Sequence, residues 1–353
     1  MSTEQKPGRL VALDYLRGYF MLVIIVDHLY RWPSALALLT GQGVLWFNAA
    51  DGFVIVSGLM IGYVRGYKGS KLPLRTITEK LWKRAALLYL WLIIGTLLYT
   101  GFAWLVPTNA NLPYVPIAAG DWWTLIWQTI TLKFSYVWVN FLYLYAVFLA
   151  LAPAIIWLLR RRLAWLVAVI SLSGFVIGDI ENIKWLQWQA LFFLPTIAGF
   201  YLEVIRSWWL RHPRRRIAIS YAIGLGTIAL LATAFLTKFI LPSGHVVDTF
   251  NTYYSKDHLQ LGGILTSLFI FTGFVLLFIK LEPFLKQWLH WILMPFGTHS
   301  LTVYIIHGAI ILTITYLLPI TQSVILNTLT GIIAILGTLL LLKIPWVTRF
   351  IPR

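Results

Sequence analysis

Long apolar segments recur along almost the whole chain, each bounded by charged residues or by proline and glycine. A helix needs about 20 mostly apolar residues to cross the hydrocarbon core of a bilayer. Segments close to that length run over 11–30, 44–64, 81–106, 138–159, 163–180, 186–208, 217–240, 259–279, 298–318 and 324–342. The pattern predicts an all-α, polytopic membrane protein with about ten transmembrane helices, folded as one domain over residues 1–353.

The composition excludes a water-soluble enzyme and a disordered chain. Hydrophobic residues make up 59% of the 353 residues and charged residues only 11%, whereas soluble proteins carry about 25% charged residues. The formal charge of +16 would suggest nucleic acid in a soluble protein, but a chain this apolar is not expected to bind it. The absence of cysteine excludes disulfides, thiol catalysis and cysteine-ligated zinc.

The distribution of lysine and arginine predicts the orientation of the chain in the membrane. Cytoplasmic loops carry an excess of these residues. With the N-terminus inside, 22 of the 28 lysines and arginines fall on the inner side, five on the outer side, and Arg17 within a span. Both termini are therefore expected to be cytoplasmic. The stretch 121–135 is too short and polar to span, and we expect it to be interfacial or re-entrant.

Four ionisable residues lie in the first apolar segment, where each costs about 3 kcal/mol on insertion scales and usually marks function. They are Asp14, Arg17, Asp27 and His28. Arg17 and His28 lie about 20° apart around a helix and about 16 Å apart along it, so both face one side. Arg17, Asp27 and His28 are candidate catalytic residues. The alternative is snorkelling at the helix ends plus a structural Asp14–Arg17 pair.

The second apolar segment brings another carboxylate toward this position. Asp51 lies in the outer half of WFNAADGFVIVSGLMIGYV, roughly level with His28. A carboxylate beside an imidazole can fix its tautomer and raise its basicity, so Asp51 or Asp27 is expected to orient His28 as a general base. Ser57 and Gly58, deeper in the segment, are interpreted as small residues that allow close helix packing.

A basic cluster stands at the cytoplasmic entrance of the third segment, EKLWKRAALLYLWL. Lys80, Lys83 and Arg84 could hold the phosphates of a cytosolic donor, with arginine preferred for bidentate contacts. The excess of basic residues expected in any cytoplasmic loop accounts for the cluster equally well.

Two further positions carry candidate binding residues. His307 lies about two turns below the surface in the ninth segment, where a histidine either serves the reaction or only hydrogen-bonds a neighbouring helix. Trp188 and Gln189 begin the sixth segment at its outer face, and an aromatic beside an amide suits a sugar as well as an interfacial anchor. We expect no metal site and no tightly bound cofactor.

Four motifs in chain order resemble those of the integral-membrane acyltransferases (acyltransferase family three). LDYLRG followed by His28 resembles the first-helix motif, and DGFVIVSGLMIGY resembles the second-helix motif. KRAALLYLW resembles the basic third-helix motif, although Lys83 stands where arginine is usual, and FGTHSLTVYIIH resembles the late-helix element. WQALFFL and LYLYAVFLALAPAIIWLLRR make the resemblance closest to the OpgC branch, which modifies osmoregulated periplasmic glucans.

The resemblance implies an enzyme of the bacterial cytoplasmic membrane that moves an acyl group from cytosolic acyl-CoA to an extracytoplasmic glycan. It makes succinyl-CoA or acetyl-CoA the co-substrate, and the bilayer and a carbohydrate acceptor the partners. His28 matches the catalytic histidine, Arg17 the motif arginine, and Lys83 with Arg84 the coenzyme-binding pair. From the residues alone, a proton-coupled transporter of an anion or sugar is the alternative, although we detect no inverted repeat.

Overall fold

The computed structural model describes residues 10–41, 45–106, 112–241, 244, 247–249, 254 and 259–351. These residues form helices and connections without any strand, which confirms the all-α class. The helices are α1 (Val11–Leu29), α2 (Ala37–Thr40), α3 (Ala49–Met60), α4 (Leu74–Leu105), α5 (Trp122–Ile130), α6 (Phe141–Arg160), α7 (Ala164–Ile180), α8 (Lys184–Trp188), α9 (Ala190–Phe200), α10 (Leu202–Arg211), α11 (Pro213–Phe239), α12 (Leu261–Trp288), α13 (His290–Thr298), α14 (Ser300–Leu317), α15 (Val324–Leu342) and α16 (Pro345–Phe350).

Within the described residues, seven helices are long and apolar enough to cross a membrane, or eight if one bent pair counts as a single span. The seven are Ala49–Tyr67, Leu74–Leu105, Val137–Arg160, Pro213–Lys238, Leu261–Trp288, Ser300–Leu317 and Val324–Leu342. The remaining predicted segments are helical too: α1 has 19 residues but contains three charged ones, and α7 has only 17. Ten spans and cytoplasmic termini therefore stay predictions.

The sixth predicted segment is broken into two helical pieces. Lys184–Phe200 and Leu202–Arg211 meet at an angle of 60°. No side chain of α10 is buried, and Val204, Ile205 and Leu210 are exposed. The second piece therefore leaves the bundle instead of continuing the direction of α9.

The segment around α5 does not span. Its nine residues give a helix of about 14 Å, far shorter than a bilayer core. Tyr89 Oη donates a 2.6 Å hydrogen bond to the carbonyl oxygen of Ile130 and fastens α5 to α4. Asp121 caps its first turn, and the hydrogen bonds from Thr124 lower the pKa of this carboxyl group.

The first helix lies at the centre of the bundle. It packs against α3, α12, α13, α14 and α15, and most of its side chains are buried, including Tyr15, Leu16, Phe20 and Met21. A helix that is apolar and covered on all sides belongs to the protein core rather than to the lipid surface. Its ionisable residues therefore point at other helices, which is the precondition for a site.

Close packing joins α3 to α9. A Cβ atom on Gly58 would lie 2.0 Å from the carbonyl oxygen of Phe192, so only glycine fits this crossing. Thr196 Oγ1 donates a 3.1 Å hydrogen bond to the carbonyl oxygen of Gly58 across the same crossing. The interpretation of Gly58 as a packing residue is confirmed.

The chain after α1 is tied to the far end of α14. The Arg31 side chain, only 4% exposed, donates from Nη2 to the carbonyl oxygen of Leu318 at 2.6 Å and from Nη1 to that of Pro319. Burial lowers the pKa of this guanidinium. Asn327 Nδ2 adds a 2.9 Å hydrogen bond to the carbonyl oxygen of Pro33. These bonds fix the end of α1 against α14 and α15.

Candidate active site

Two histidines form a contact between the C-terminal end of α1 and the middle of α14. His28 Nδ1 lies 2.7 Å from His307 Nε2, and the ring centroids are 5.0 Å apart. His307 Nδ1 in turn lies 2.7 Å from the carbonyl oxygen of Tyr304. His307 is fully buried, so its ring is fixed on both sides.

The Tyr304 carbonyl determines which nitrogen atoms carry hydrogen when both rings are neutral. A carbonyl oxygen only accepts, so His307 Nδ1 must donate and His307 Nε2 keeps its lone pair. His28 Nδ1 then donates to His307 Nε2, which leaves a lone pair on His28 Nε2. A histidine with one nitrogen anchored and the other basic is the arrangement that a general base requires.

Asp51 has a clear structural role as part of the N-terminal cap of α3. Asn48 N–H donates to Asp51 Oδ2 at 3.1 Å, and Asp51 N–H donates to Asn48 Oδ1 at 3.0 Å, which together form a capping box at the start of α3. Ser267 Oγ donates to the same carboxylate at 3.1 Å. The described partner of His28 is His307, so orientation of His28 by Asp51 or Asp27 stays a prediction.

Arg17 contacts the same helix as His28, nearer to the N-terminus of α14. Arg17 Nη2 donates to Ser300 Oγ at 2.5 Å, and Nη1 lies 4.0 Å from Asp14 Oδ1. The contacts of Arg17 and His28 with α14 confirm that the two side chains share one side of α1. The predicted Asp14–Arg17 pair is also present.

The residues of α14 that face α1 follow helical spacing. Ser300, Tyr304 and His307 stand at positions i, i+4 and i+7 of one helix, which places them on one face. Ser300 and His307 lie about 10 Å apart along the axis, whereas Arg17 and His28 lie about 16 Å apart. The long side chain of Arg17 covers the difference.

A cavity of about 190 Å³ lies between α1, α3, α4, α6, α9 and α14. Its polar lining consists of Arg17, Ser57, Arg65, Lys80, Arg84, Tyr145, Ser300 and Tyr304. Four of these described lining residues are cations and none is an acid. A cavity lined by one sign of charge concentrates ligands of the opposite sign, so this one suits an anion.

The cavity opens at its basic end and closes toward α14. Lys80 and Arg84 are exposed, whereas Ser300 is buried. Lys80 and Arg84 are four residues apart and share a face of α4, while Lys83 is exposed and does not occur among the described lining residues. Of the three predicted coenzyme-binding residues, the structure therefore brings two to the cavity.

Arg65 joins this rim from the inner part of the second span. Ile61–Tyr67 is a π-helix that continues α3. Ile61, Val64 and Arg65 of this segment, together with Met60 at the end of α3, line the cavity wall. Such turns are frequently found at functional sites, and nothing in the apolar sequence pattern indicated one.

The histidine pair borders the cavity without being among its described lining residues. Ile24, one turn before His28, lines the wall. Tyr304 lines it too, and its ring centroid is 6.3 Å from that of His28. Tyr304 Oη accepts a 3.4 Å hydrogen bond from Phe141 N–H, which holds the phenol between the cavity and the imidazole.

Trp188 and Gln189 lie outside this cavity. Trp188 lines a second cavity of about 20 Å³ together with Asp51, and its ring meets that of Phe141 edge-on at 5.1 Å. Phe141 lines the main cavity, so this aromatic pair stands between the two. Gln189 Nε2 donates a 2.6 Å hydrogen bond to the carbonyl oxygen of Ser171. A sugar-binding role for either residue stays a prediction.

Sequence reasoning missed several residues that shape the site. Ser300 and Tyr304 belong to the motif FGTHSLTVYIIH, and their helical spacing to His307 was the signal that could have singled them out. Tyr145, which donates to the carbonyl oxygen of Phe53 at 2.8 Å and to Ser57 Oγ at 3.1 Å, is one aromatic among many in an apolar helix and gave no signal.

The comparison with known proteins agrees with these features. A sequence profile described as OpgC protein matches residues 9–350. No curated protein matches the chain, and no solved structure does. Because the profile covers nearly the whole chain, the protein belongs to the OpgC family, a membership that indicates a membrane acyltransferase acting on glycans.

Proposed function

We propose that the protein is a membrane O-acyltransferase that moves a succinyl or acetyl group from cytosolic acyl-CoA to a hydroxyl of an extracytoplasmic glycan. The observation that carries the proposal is the chain from the Tyr304 carbonyl through His307 to His28, set beside a cavity lined by four cations. This series of hydrogen bonds supplies a base, and the cavity suits a phosphate-bearing donor.

The donor enters from the basic rim. Arg65, Lys80 and Arg84 hold the phosphates of coenzyme A, because guanidinium and ammonium groups bind phosphate oxygens by charge-assisted hydrogen bonds. The pantetheine arm then follows the apolar walls, which include Leu88 and Phe192. The thioester reaches the level of Arg17 and Tyr304, next to the histidine pair.

The acceptor arrives from the opposite side. With the predicted orientation, Arg17 lies toward the cytosol and His28 toward the outer surface. The second cavity, lined by Trp188 and Asp51, lies beyond the Phe141–Trp188 ring contact. In this proposal the glycan hydroxyl meets the thioester at His28, and neither substrate crosses the membrane.

His28 Nε2 removes the proton of the acceptor hydroxyl as its oxygen attacks the thioester carbonyl. The resulting imidazolium still donates from Nδ1 to His307 Nε2, which keeps the ring in place. Arg17 stabilises the negative oxygen of the tetrahedral intermediate, or binds the distal carboxylate of a succinyl group. The C–S bond then breaks, and His28 returns the proton to the thiolate of coenzyme A.

Ligand-induced stabilisation of the purified protein tests the donor. Succinyl-CoA or acetyl-CoA at about 100 times its Kd stabilises the protein by about 2.7 kcal/mol, which raises the melting temperature. Membranes that hold the protein should also move labelled acyl groups from the same thioester to glucan. An unchanged melting temperature together with no transfer would contradict the proposal and favour an anion or sugar transporter.

A further inference from the structure

Tyr99 of α4 touches α14 on both sides of His307. Its hydroxyl donates a 2.7 Å hydrogen bond to the carbonyl oxygen of Ile305, two residues before the histidine. Its ring lies against Gly308, one residue after: a Cβ atom on that glycine would lie 2.6 Å from Tyr99 Cζ. The tyrosine therefore meets α14 at a position where no side chain larger than hydrogen fits.

The tyrosine itself has little freedom to move. Its ring packs edge-on against Trp138 at a centroid distance of 5.6 Å and lies 5.8 Å from Tyr136. Trp138 and Tyr136 are both fully enclosed in the core, and Tyr99 is 8% exposed. Because the ring cannot retreat, the position of α14 at Gly308 is set by α4.

Neighbouring carbonyl groups of α14 connect this contact to the histidine pair. The carbonyl of Tyr304 accepts from His307 Nδ1, and the next carbonyl, that of Ile305, accepts from Tyr99. A rotation or lift of α14 that loosened the second bond would also move the ring of His307. The 2.7 Å contact between His307 and His28 would then lengthen, because a hydrogen bond tolerates only a few tenths of an ångström.

We propose that Tyr99 is a positioning residue for the reaction, which fixes α14 at His307 and thereby orients His28. The proposal rests on the proposed function, in which His28 is the base. Tyr99 is not among the described lining residues of either cavity. It is distinct from the cations of the donor cavity, so its loss should lower kcat and leave the KM for acyl-CoA unchanged.

Two substitutions probe the contact from its two sides. Gly308→Ala pushes α14 away from the Tyr99 ring, and Tyr99→Phe removes only the hydroxyl. A misplacement of about 1 Å can cost about 100-fold in rate, so we expect kcat to fall about 100-fold in Gly308→Ala and about tenfold in Tyr99→Phe. The KM for acyl-CoA should stay within about twofold in both, because a cavity that keeps its cations keeps its binding energy.

The matched control is Tyr89→Phe on the same helix. Tyr89 also donates to a backbone carbonyl, that of Ile130, at 2.6 Å, but this carbonyl belongs to α5 and not to α14. This variant should keep the wild-type kcat. A second test is rescue, since Gly308→Ala combined with Tyr99→Leu gives the new methyl group room and should turn over faster than Gly308→Ala alone.

A readout without turnover keeps this inference separate from the proposed function. In protein labelled with ¹⁵N-histidine, the ring resonances of His28 and His307 should shift in Gly308→Ala and return toward wild type in the double variant. Unshifted resonances in Gly308→Ala, or a wild-type kcat in both single variants, would overturn the role of Tyr99. A wild-type protein without acyl transfer would overturn the proposed function, while the resonances would still decide the position of His307.

Discussion

The guanidinium of Arg17 donates a 2.5 Å hydrogen bond to the hydroxyl of Ser300, and this contact joins α1 to the first residue of α14. The His28–His307 contact joins the same two helices farther along. Both helices run in the same direction from the first contact to the second, as the first and ninth of ten alternating spans would. Arg17 and His28 are thus both held by contacts with α14.

Removing the Ser300 hydroxyl should slow the reaction without unfolding the protein. A hydrogen bond to a charged group contributes about 1.5–3 kcal/mol, so Ser300→Ala should lower kcat by about tenfold or more. Arg17→Lys should be worse, because an ammonium group cannot contact Ser300 and Asp14 with the geometry of the guanidinium fork. Steady-state rates in membranes measure both variants. Wild-type rates in Ser300→Ala would separate this contact from the chemistry.

The position of the basic residues around α4 predicts unequal effects on donor binding. Lys80→Gln and Arg84→Gln should each raise the KM for acyl-CoA about tenfold, because each loses a charge-assisted contact with phosphate. Lys83→Gln, which removes an equal charge from the adjoining face, should change it less than about twofold. For all three variants the measurement is the KM for acyl-CoA at a fixed glucan concentration. Equal effects would mean that the rim attracts the donor only by its total charge.

The capping box around Asp51 predicts a stability effect. Loss of a helix cap costs about 1 kcal/mol, so Asp51→Ala should lower the melting temperature. Asp51→Ala removes the acceptor of the Asn48 N–H, whereas Asn48→Ala removes the acceptor of the Asp51 N–H, the other hydrogen bond of the same capping box, and serves as its control. If capping is the role of Asp51, the two variants keep similar kcat values. A kcat that falls far more in Asp51→Ala than in Asn48→Ala would instead support the carboxylate as the residue that orients His28.

Arg31 should matter to the stability of the bundle. Arg31→Ala leaves the Leu318 and Pro319 carbonyls without their donor and removes a cation from the C-terminal end of α14, where the helix dipole favours positive charge. We expect a loss of about 2 kcal/mol in the free energy of unfolding.

Arg160 provides the comparison for this variant. It donates to the carbonyl oxygens of Leu72 at 2.9 Å and Gly69 at 2.6 Å, in a less buried position. Arg160→Ala should therefore lower the melting temperature less than Arg31→Ala. A larger decrease in melting temperature for Arg160→Ala would contradict the role of Arg31 in stabilising the end of α14.

Much of the fold follows from the sequence because apolar length alone determines where helices can cross a bilayer. Among the described residues, each of the ten apolar segments overlaps at least one helix, although the sixth is broken by a bend of 60°. The spacing of Arg17 and His28 correctly placed both on one side of α1. Helical periodicity depends only on the local sequence, so it can be recognised without knowing which helices pack together.

Helical periodicity could not predict which residues of different helices contact each other. His28 and His307 are 279 residues apart, and periodicity does not tell which helix packs beside which. The capping box of Asn48 and Asp51 was not predicted, although the asparagine three residues before the aspartate was a visible signal. Orientation of His28 by Asp51 stays a prediction. The π-helix Ile61–Tyr67 depends on packing, and its residues are ordinary for a span.

The central claim is that His28 is the base for acyl transfer, and the most direct measurement is the rate of labelled acyl transfer to glucan by membranes containing His28→Ala. Protein amount and stabilisation by acyl-CoA should match wild type, because the donor cations are untouched. General-base catalysis contributes about 10²–10⁴-fold, so we predict a loss of that size. Turnover at the wild-type rate, with normal expression and donor binding, would contradict the account.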